Sequence, residues 1–410
     1  MFERRPLFGA LVVLTLLITG WHMSFQEANS TSTGGIGNGL GGAVPSFEQQ
    51  QPIPSLTASP LSSKGGGGGI GESGEDTRPL LYGQALNQSF SPVPPWPTLL
   101  VLNAVETLPI DDYSSLIDLK DFRFTINFNN CTSANERRKR ESTRSDSLKG
   151  DERWTPLILV LVHSAPSNWY KRNTIRDTWG QFDPRAKLVF LLGAVNSTTL
   201  QRRIEEENRQ HDDIVQGNFI DAYRNMTYKH VMALKWFTYH CPEAKYILKA
   251  DDDVFVNTPV LYDSLESYAQ RSGLLFCQKI SRAAVKRTYR SKWFVSIREY
   301  PNKYYPNHCP GYSIIYTPDV AFQLYKEAQQ QPYFWIDDVH LTGTIANRVN
   351  VTITPTGSKL LNATQKEAII DRRLNASDQP FFFTTPDLRD GDIRKLWQAV
   401  SISAKSTRIR

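Results

Sequence analysis

The chain has 410 residues, of which 40% are hydrophobic and 21% charged, with a net charge of +6. At roughly 100–200 residues per domain, that length holds one large domain or two ordinary ones. The basic excess comes partly from Arg4, Arg5, Arg408 and Arg410 and from the run Arg137-Arg138-Lys139-Arg140; with no aromatic-laced basic face beside it, it does not describe a nucleic-acid-binding surface.

The N-terminus reads as a short tail, 1–6, carrying Arg4 and Arg5, followed by an uncharged stretch from Leu7 to Phe25. Those residues, at about 1.5 Å each, span roughly 28 Å as a helix, enough for a thin early-secretory bilayer. Arginines before the stretch predict a cytoplasmic tail and a luminal remainder. A cleaved signal peptide is the competing reading; the length of the stretch and the lack of a small-x-small site favour a retained anchor. From Thr31 to Glu75 the chain is Gly, Ser and Pro with few apolar side chains, so residues 26–150 read as a disordered stem. The run Gly65 to Gly69 is no phosphate-binding loop, because no Lys-Ser/Thr pair follows it. The four basic residues ending at Arg140 fit a processing site within that stem, with release of the luminal part by cleavage after Arg140.

Sequons at Asn29, Asn87, Asn130, Asn196, Asn350, Asn362 and Asn375 are glycosylation candidates and agree with a luminal location. Asn225 also begins one, but helix capping competes there. The four cysteines, Cys131, Cys241, Cys277 and Cys309, allow one or two disulfides in an oxidising compartment, with connectivity open. Cys241 reads equally well as a buried thiol on an apolar helix face.

Residues 151–410 form the expected globular domain. Leu157 to Val162 and Lys187 to Leu192 are continuous apolar runs, as in strands buried on both faces. Asn173 to Trp179 reads as a helix between them, with Trp179 in the core. Thr199 to Arg209 reads as a charged surface helix. Met226 to Cys241 carries Val231, Leu234, Phe237 and Cys241 at helical spacing. A strand from Lys245 to Leu248 leads into Asp251-Asp252-Asp253. Leu274 to Cys277 and Trp293 to Ser296 read as further strands, Thr317-Pro318-Asp319 as a helix start, and Ile393 to Val400 as a short helix. Strands alternating with helices predict an α/β fold with a mostly parallel sheet.

Two acidic clusters carry the chemistry. Three aspartates in a row repel one another and are tolerated at a strand end where a cation or cationic ligand takes up the charge. They lack the alternation and the glycine of a calcium loop. The second cluster, Phe334-Trp335-Ile336-Asp337-Asp338-Val339, sets carboxylates beside aromatics, where partial desolvation raises proton affinity toward that of a general base. A helix cap with a first-turn acid is the plainer account of the pair.

Five motifs in order resemble the beta-1,3-glycosyltransferase family of Golgi type II membrane enzymes. They are Ser164-Ala-Pro with Arg172 to Gly180, Phe219 to Lys229, Lys249 to Asn257, Ser291-Lys-Trp293 through Cys309-Pro-Gly311-Tyr312, and Asp337-Asp338-Val339 with Gly343. The resemblance implies a GT-A type nucleotide-sugar transferase fold, a mixed, mostly parallel sheet flanked by helices. It also implies a UDP-sugar donor, UDP-galactose by the slight likeness to the galactosyl branch, and a Mn2+ or Mg2+ ion. The reaction implied is inverting, with a glycoprotein or glycolipid glycan as acceptor. By motif position Asp253 and Asp251 are the metal ligands and Asp338 the general base, with Asp337 as fallback. Ser164, Arg172, Arg176, Asp221, Tyr223, Lys229, Asp251 and Asp252 fall on the UDP-sugar side; for the two arginines, bracing the helix on the sheet is the alternative. This chain has Asp337-Asp338-Val339 where the family often has Glu-Asp-Val, and Asn225-Met-Thr227 where Asn-Leu-Thr is commoner. No histidine follows His340, so a late histidine ligand is unavailable and water would fill the remaining metal positions.

Transfer of N-acetylglucosamine or N-acetylgalactosamine within the same family is the nearest alternative. A non-catalytic luminal glycan-binding or chaperone-like protein would be expected to lose one acidic cluster. A phosphate-ester hydrolase would want histidines near Asp251, and none is close in sequence.

Overall fold

The computed structural model describes residues 105–128, 131, 155–268, 270 and 272–408. The expected membrane span at 7–25, the Gly/Ser/Pro stretch, the sequons at Asn29, Asn87 and Asn130, and the basic run ending at Arg140 all lie outside the described residues. Among the described residues no helix is long and apolar enough to cross a membrane.

The apolar runs become the centre of a sheet. Strands β1 (Phe124–Ile126), β2 (Ile158–His163), β3 (Ala186–Ala194), β4 (Ile214–Ile220), β5 (Tyr246–Asp251), β6 (Leu275–Cys277), β7 (Ser313–Tyr316) and β8 (Ile353–Pro355) pair in the order β1-β4-β3-β2-β5-β7-β6-β8. The middle four, β4-β3-β2-β5, are parallel, whereas β1 and β7 run antiparallel to their neighbours. Every residue of β2 is buried, because both faces are covered. Leu159 and Leu161 point to one core with Val231, Leu234 and Phe237; Ile158, Val160 and Val162 point to the other with Ile175, Trp179 and Leu396.

The helices are α1 (Trp169–Asp177), α2 (Thr198–His211), α3 (Met226–His240), α4 (Thr258–Ser267), α5 (Pro318–Ala328), α6 (Ala363–Ile370) and α7 (Asp390–Arg408). Helix α1 begins four residues before the expected Asn173 and stops short of Trp179, which is buried beyond its end. Expected strand 245–248 continues through Asp251, so the first aspartate belongs to β5. Trp293 to Ser296 is not a strand but part of a turn-rich loop. The late region, without periodicity in sequence, holds α6 and a small parallel pair, β9 (Leu360–Leu361) with β10 (Phe383–Thr384). Asn362 and Gln365 close a reciprocal capping box on α6, so that asparagine fixes a helix start whether or not it carries a glycan.

Helix α3 is buried from Thr227 to Thr238 on all sides rather than along one stripe. Its outer side is covered by residues 105–128, which the sequence pattern had left in the stem. Residues 105–128, expected in the stem, therefore pack on the body expected from 151 onward. The reason is a buried polar cluster. Lys235, with no exposed surface, pairs with Asp112 at 3.5 Å and donates to Ser115 O and the Tyr325 hydroxyl, both at 3.0 Å. Asp112 also accepts from Tyr239 at 2.7 Å and Gln329 at 3.0 Å. Burial pulls the Lys235 ammonium down to about 8 against the opposing pull of Asp112. Disulfides join Cys131 to Cys241 and Cys277 to Cys309, and no described cysteine is free.

A fragment beginning at Asp151 loses Asp112 and leaves a buried ammonium without its carboxylate, a loss of about 3–5 kcal/mol. It is expected to precipitate or to melt far below a fragment beginning at Gln88; equal melting temperatures would refute the role given to residues 105–128. If the chain is cut after Arg140, the upstream piece stays attached through Cys131–Cys241. The two pieces should then separate on a denaturing gel only after reduction.

Candidate active site

From β2 the chain crosses to β3 and β4 on one side, then returns to β5 on the other. Ligands of open α/β sheets bind beyond the carboxyl ends of strands at such a reversal. There His163 of β2 stands in register with Asp251 of β5. The turn that follows sorts the three aspartates by direction. Asp252 is buried and saturated: Ser164 Oγ donates to it at 2.8 Å, Asn168 Nδ2 at 2.9 Å and Lys171 Nζ at 3.0 Å. Asp251 and Asp253 remain half-buried toward the crevice. Burial first, then the charges of Asp251 and Asp252, push the Asp253 carboxyl up to about 6, with Lys171 opposing. A carboxylate so crowded is where a cation would bind with gain.

The second cluster opens a helix. Asp337 is buried and bonded to His230 Nδ1 at 2.8 Å, while His230 Nε2 meets the Tyr316 hydroxyl at 2.9 Å. Burial lowers the proton affinity of His230 and Asp337 opposes it; the net is downward. The consistent arrangement is a neutral ring that donates to an ionised Asp337 and accepts from Tyr316. Burial alone would raise Asp337, yet the hydrogen bond from His230 and the nearby Lys249 hold it below the usual range. Asp338 is less buried and caps Val339 N at 2.7 Å, so the plainer capping account holds as well. Burial and then the charge of Asp337 push Asp338 up to about 7. Two adjacent carboxyls thus part in proton affinity, one fixed and one titrating near neutrality. Val339–Ile345 is a π-helical segment closing in the turn Ala346–Arg348, a departure found often at functional sites.

Lys249 links the clusters. It is 1% exposed, pairs with Asp251 at 2.6 Å and donates to Gly311 O. Burial would lower its affinity, but the charges of Asp251, Asp337 and Asp338 raise it. A Cβ on Gly311 would lie 3.3 Å from Lys249 Nζ and 3.7 Å from Asp338 Cβ, so the backbone passes close between them. His163, buried beside Lys249 and Lys229, is held neutral by burial and those cations, and packs edge-on to His230 at 5.4 Å.

Over this floor lies the loop between Cys277 and Cys309, closed at its base by their disulfide. Arg287 organises it by donating to the carbonyls of Val295, Ser296, Tyr300 and Asn302 at 2.6–2.9 Å. A small core of Val285, Val295, Trp335, Ile336 and Val339 joins loop to helix. Gly343 admits it: a Cβ there would come within 2.9 Å of Pro306 Cγ.

Most residues expected on the UDP-sugar side have partners within the chain. Arg172 has no exposure, grips Glu207 through Nε at 2.8 Å and Nη2 at 2.6 Å, and donates to Ser164 Oγ at 3.1 Å and Ala165 O at 2.7 Å. Arg176 pairs with Asp213 at 2.7 Å and Glu207 at 2.8 Å. For both, these ion pairs to acids of α2 and its C-terminal turn form the brace that was the alternative to a phosphate contact. Lys229 pairs with Asp221 at 2.7 Å and donates to Ser164 O at 2.8 Å, and Asp221 also accepts from Gly193 N at 2.6 Å. Ser164 and Asp252 are likewise bonded to each other, at 2.8 Å. Asp251 and Tyr223 do reach the crevice: Tyr223 is 42% exposed, and burial together with the charges of Asp337, Asp338 and Asp251 raises its hydroxyl. Sequence reasoning missed Lys249, His230, Lys171 and Arg287. A lysine inside an apolar strand was the available signal for the first; the others gave none. Among the described residues no group of three or more His, Cys, Asp or Glu converges as a complete ion cage. The carboxylates of Asp251 and Asp253 are oxygen donors of the kind that magnesium and manganese prefer.

Comparison with known proteins shows the family to which the chain belongs. The family model described as Galactosyltransferase matches residues 170–356. Beta-1,3-galactosyltransferase 5 of Gorilla gorilla gorilla is 33% identical over 204 residues, covering 48% of this chain and 67% of that one. Beta-1,3-galactosyltransferase 9 of Homo sapiens is 31% identical over 256 residues, covering 61% and 67%. Lactosylceramide 1,3-N-acetyl-beta-D-glucosaminyltransferase A of Xenopus laevis is 34% identical over 208 residues, covering 48% and 55%. The chain belongs to the beta-1,3-glycosyltransferase family and is a hexosyltransferase.

Replacing Lys249 by Met should strand Asp251 and Asp337 and cost about 3–5 kcal/mol, a fall in melting temperature of roughly 10 °C. A change of a degree or less would remove Lys249 from this role.

Proposed function

We propose that the protein is an inverting beta-1,3-galactosyltransferase of GT-A type, moving galactose from UDP-galactose to a hydroxyl of a glycoprotein or glycolipid glycan. One observation carries this reading: Lys249 pairs with Asp251 at 2.6 Å and sits in the field of Asp337 and Asp338, which joins the two acidic clusters. Inversion needs a base opposite the leaving diphosphate, and Asp338 is the carboxylate free to take the acceptor proton. Asp337 is committed to His230 and holds the charge that keeps Asp338 basic. Asp253, with Asp251 beside it, would hold a manganese or magnesium ion. Such an ion supplies charge neutralisation for the departing UDP. Lys171, 3.0 Å from Asp252 and one-fifth exposed, keeps that turn in place.

Transfer of N-acetylglucosamine is the second reading, favoured by the 34% identical Xenopus laevis relative that carries that activity in its name. The non-catalytic reading loses ground because both acidic clusters are organised. A Golgi type II location with a luminal catalytic domain is supported by both disulfides and by exposure of Asn196, Asn350, Asn362 and Asn375.

Transfer assayed with manganese, each UDP-sugar in turn and acceptors ending in N-acetylglucosamine, N-acetylgalactosamine, galactose or glucose should show chelator-sensitive turnover with UDP-galactose. Turnover from UDP-N-acetylglucosamine instead selects the second reading, and none from any donor refutes both. Asp338→Asn should lower kcat by about 10²–10⁴ while UDP binding persists. Because the base must be unprotonated, kcat/KM should climb tenfold per pH unit below about 7 and level off above it. A flat acid limb, or near-normal turnover in the variant, would remove Asp338 as the base.

A further inference from the structure

Three aromatic rings from three separate elements meet beside Asp337–Asp338. Tyr223 comes from the 3-10 turn Tyr223–Asn225 that leads into α3, Trp293 from the disulfide-closed loop, and Trp335 from just before the acidic pair. Trp293 and Trp335 stack with centroids 6.1 Å apart and planes 13° from parallel. Tyr223 leans on both, 5.0 Å from Trp293 and 6.0 Å from Trp335. The group is held rigid: the Arg224 guanidinium lies 4.6 Å from the Trp335 ring centroid and is fixed by Glu299 at 2.6 Å. Trp335 is buried, yet Trp293 and Tyr223 stay 38% and 42% exposed. Large rings left open beside a reaction site, with neighbours that stop them from collapsing, form a preorganised binding face.

We propose that Trp293 and Tyr223 form the platform on which the acceptor sugar ring lies, which rests on the transferase reading above. A pyranose presents a face of C–H bonds whose slight positive charge suits the negative face of an aromatic ring. Its rim of hydroxyls needs polar partners, and the Lys292 ammonium stands 5.2 Å from the Trp293 centroid and 5.9 Å from that of Tyr223. The acceptor is the sugar assigned here because its reacting hydroxyl must come within hydrogen-bond reach of the base. The aromatic group joins the Asp337–Asp338 segment through Trp335, and the charges of Asp337 and Asp338 act on Tyr223 ahead of that of Asp251. Trp293 is thus a positioning residue for the acceptor and leaves the donor alone.

The full chain as wild type, Trp293→Ala and Trp293→Phe would be compared with the best acceptor and donor of the transfer screen, each varied in turn. The expected result for Trp293→Ala is a rise in acceptor KM of roughly fivefold to tenfold, with donor KM and UDP affinity unchanged and Trp293→Phe close to wild type. An unchanged acceptor KM, or a rise in donor KM instead, overturns the assignment. Absence of turnover in the wild type refutes the transferase reading and not the platform. Saturation-transfer NMR with methyl β-galactoside and methyl β-N-acetylglucosaminide then decides. Signal lost in Trp293→Ala supports the platform, whereas signal retained there, or absent from the wild type, overturns it.

Discussion

The ammonium of Lys249 is the fixed point of the crevice. It has almost no contact with solvent, and its partners are Asp251, the Gly311 carbonyl and the field of Asp337 and Asp338. Taking a cation out of water is tolerable only where carboxylates and a carbonyl replace the water. That requirement ties the end of β5 to the helix start at Asp337, two segments far apart in sequence. Once the tie is made, the remaining acids are placed relative to it.

Their roles then follow from which way each one faces. Asp252 turns inward to Ser164, Asn168 and Lys171, and Asp337 turns inward to His230 and is held below the usual range by it and Lys249; Asp253 and Asp338 are less buried and are raised by burial and by neighbouring carboxylates. Adjacent carboxyls in each cluster thus divide into one with partners inside the chain and one less buried. The same logic explains why so many polar residues of the signature motifs are not at the surface of the site. Ser164, Arg172, Arg176, Asp221 and Lys229 form a buried lattice under α1 and α3 that keeps the Asp252 turn from moving. A crevice whose outward carboxylates repel one another needs such a rigid floor.

Two clasps complete the body. Residues 105–128 cover α3 around Asp112 and Lys235, and the loop from Cys277 to Cys309 covers the crevice around Arg287. In each, one long cationic side chain satisfies several carbonyl or carboxylate oxygens, which is how an irregular segment can pack without a ladder of its own. The second clasp also supplies Trp293, so the loop that shapes the crevice brings an aromatic face to it.

Period and composition sufficed for the middle of the sheet, for α2, α3 and α5, and for the two acidic clusters, because buried strands and amphipathic helices write their environment locally. The capping of α6 by Asn362 and Gln365 was equally local, yet passed unread for want of an apolar stripe. The clasps were not legible, since the Asp112–Lys235 pair and the Arg287 bonds join residues whose neighbours in sequence say nothing of them. Nor did the motifs show the partners of their own residues: the pairs Arg172–Glu207 and Lys171–Asp252 form only in the folded chain. The sequence by itself thus determined the family, the order of the central elements and which carboxylates cluster. The tertiary structure decided that residues 105–128 pack on the body, which carboxylates are less buried and what raises them. Burial and charge pairing act between distant segments, and no local pattern records them.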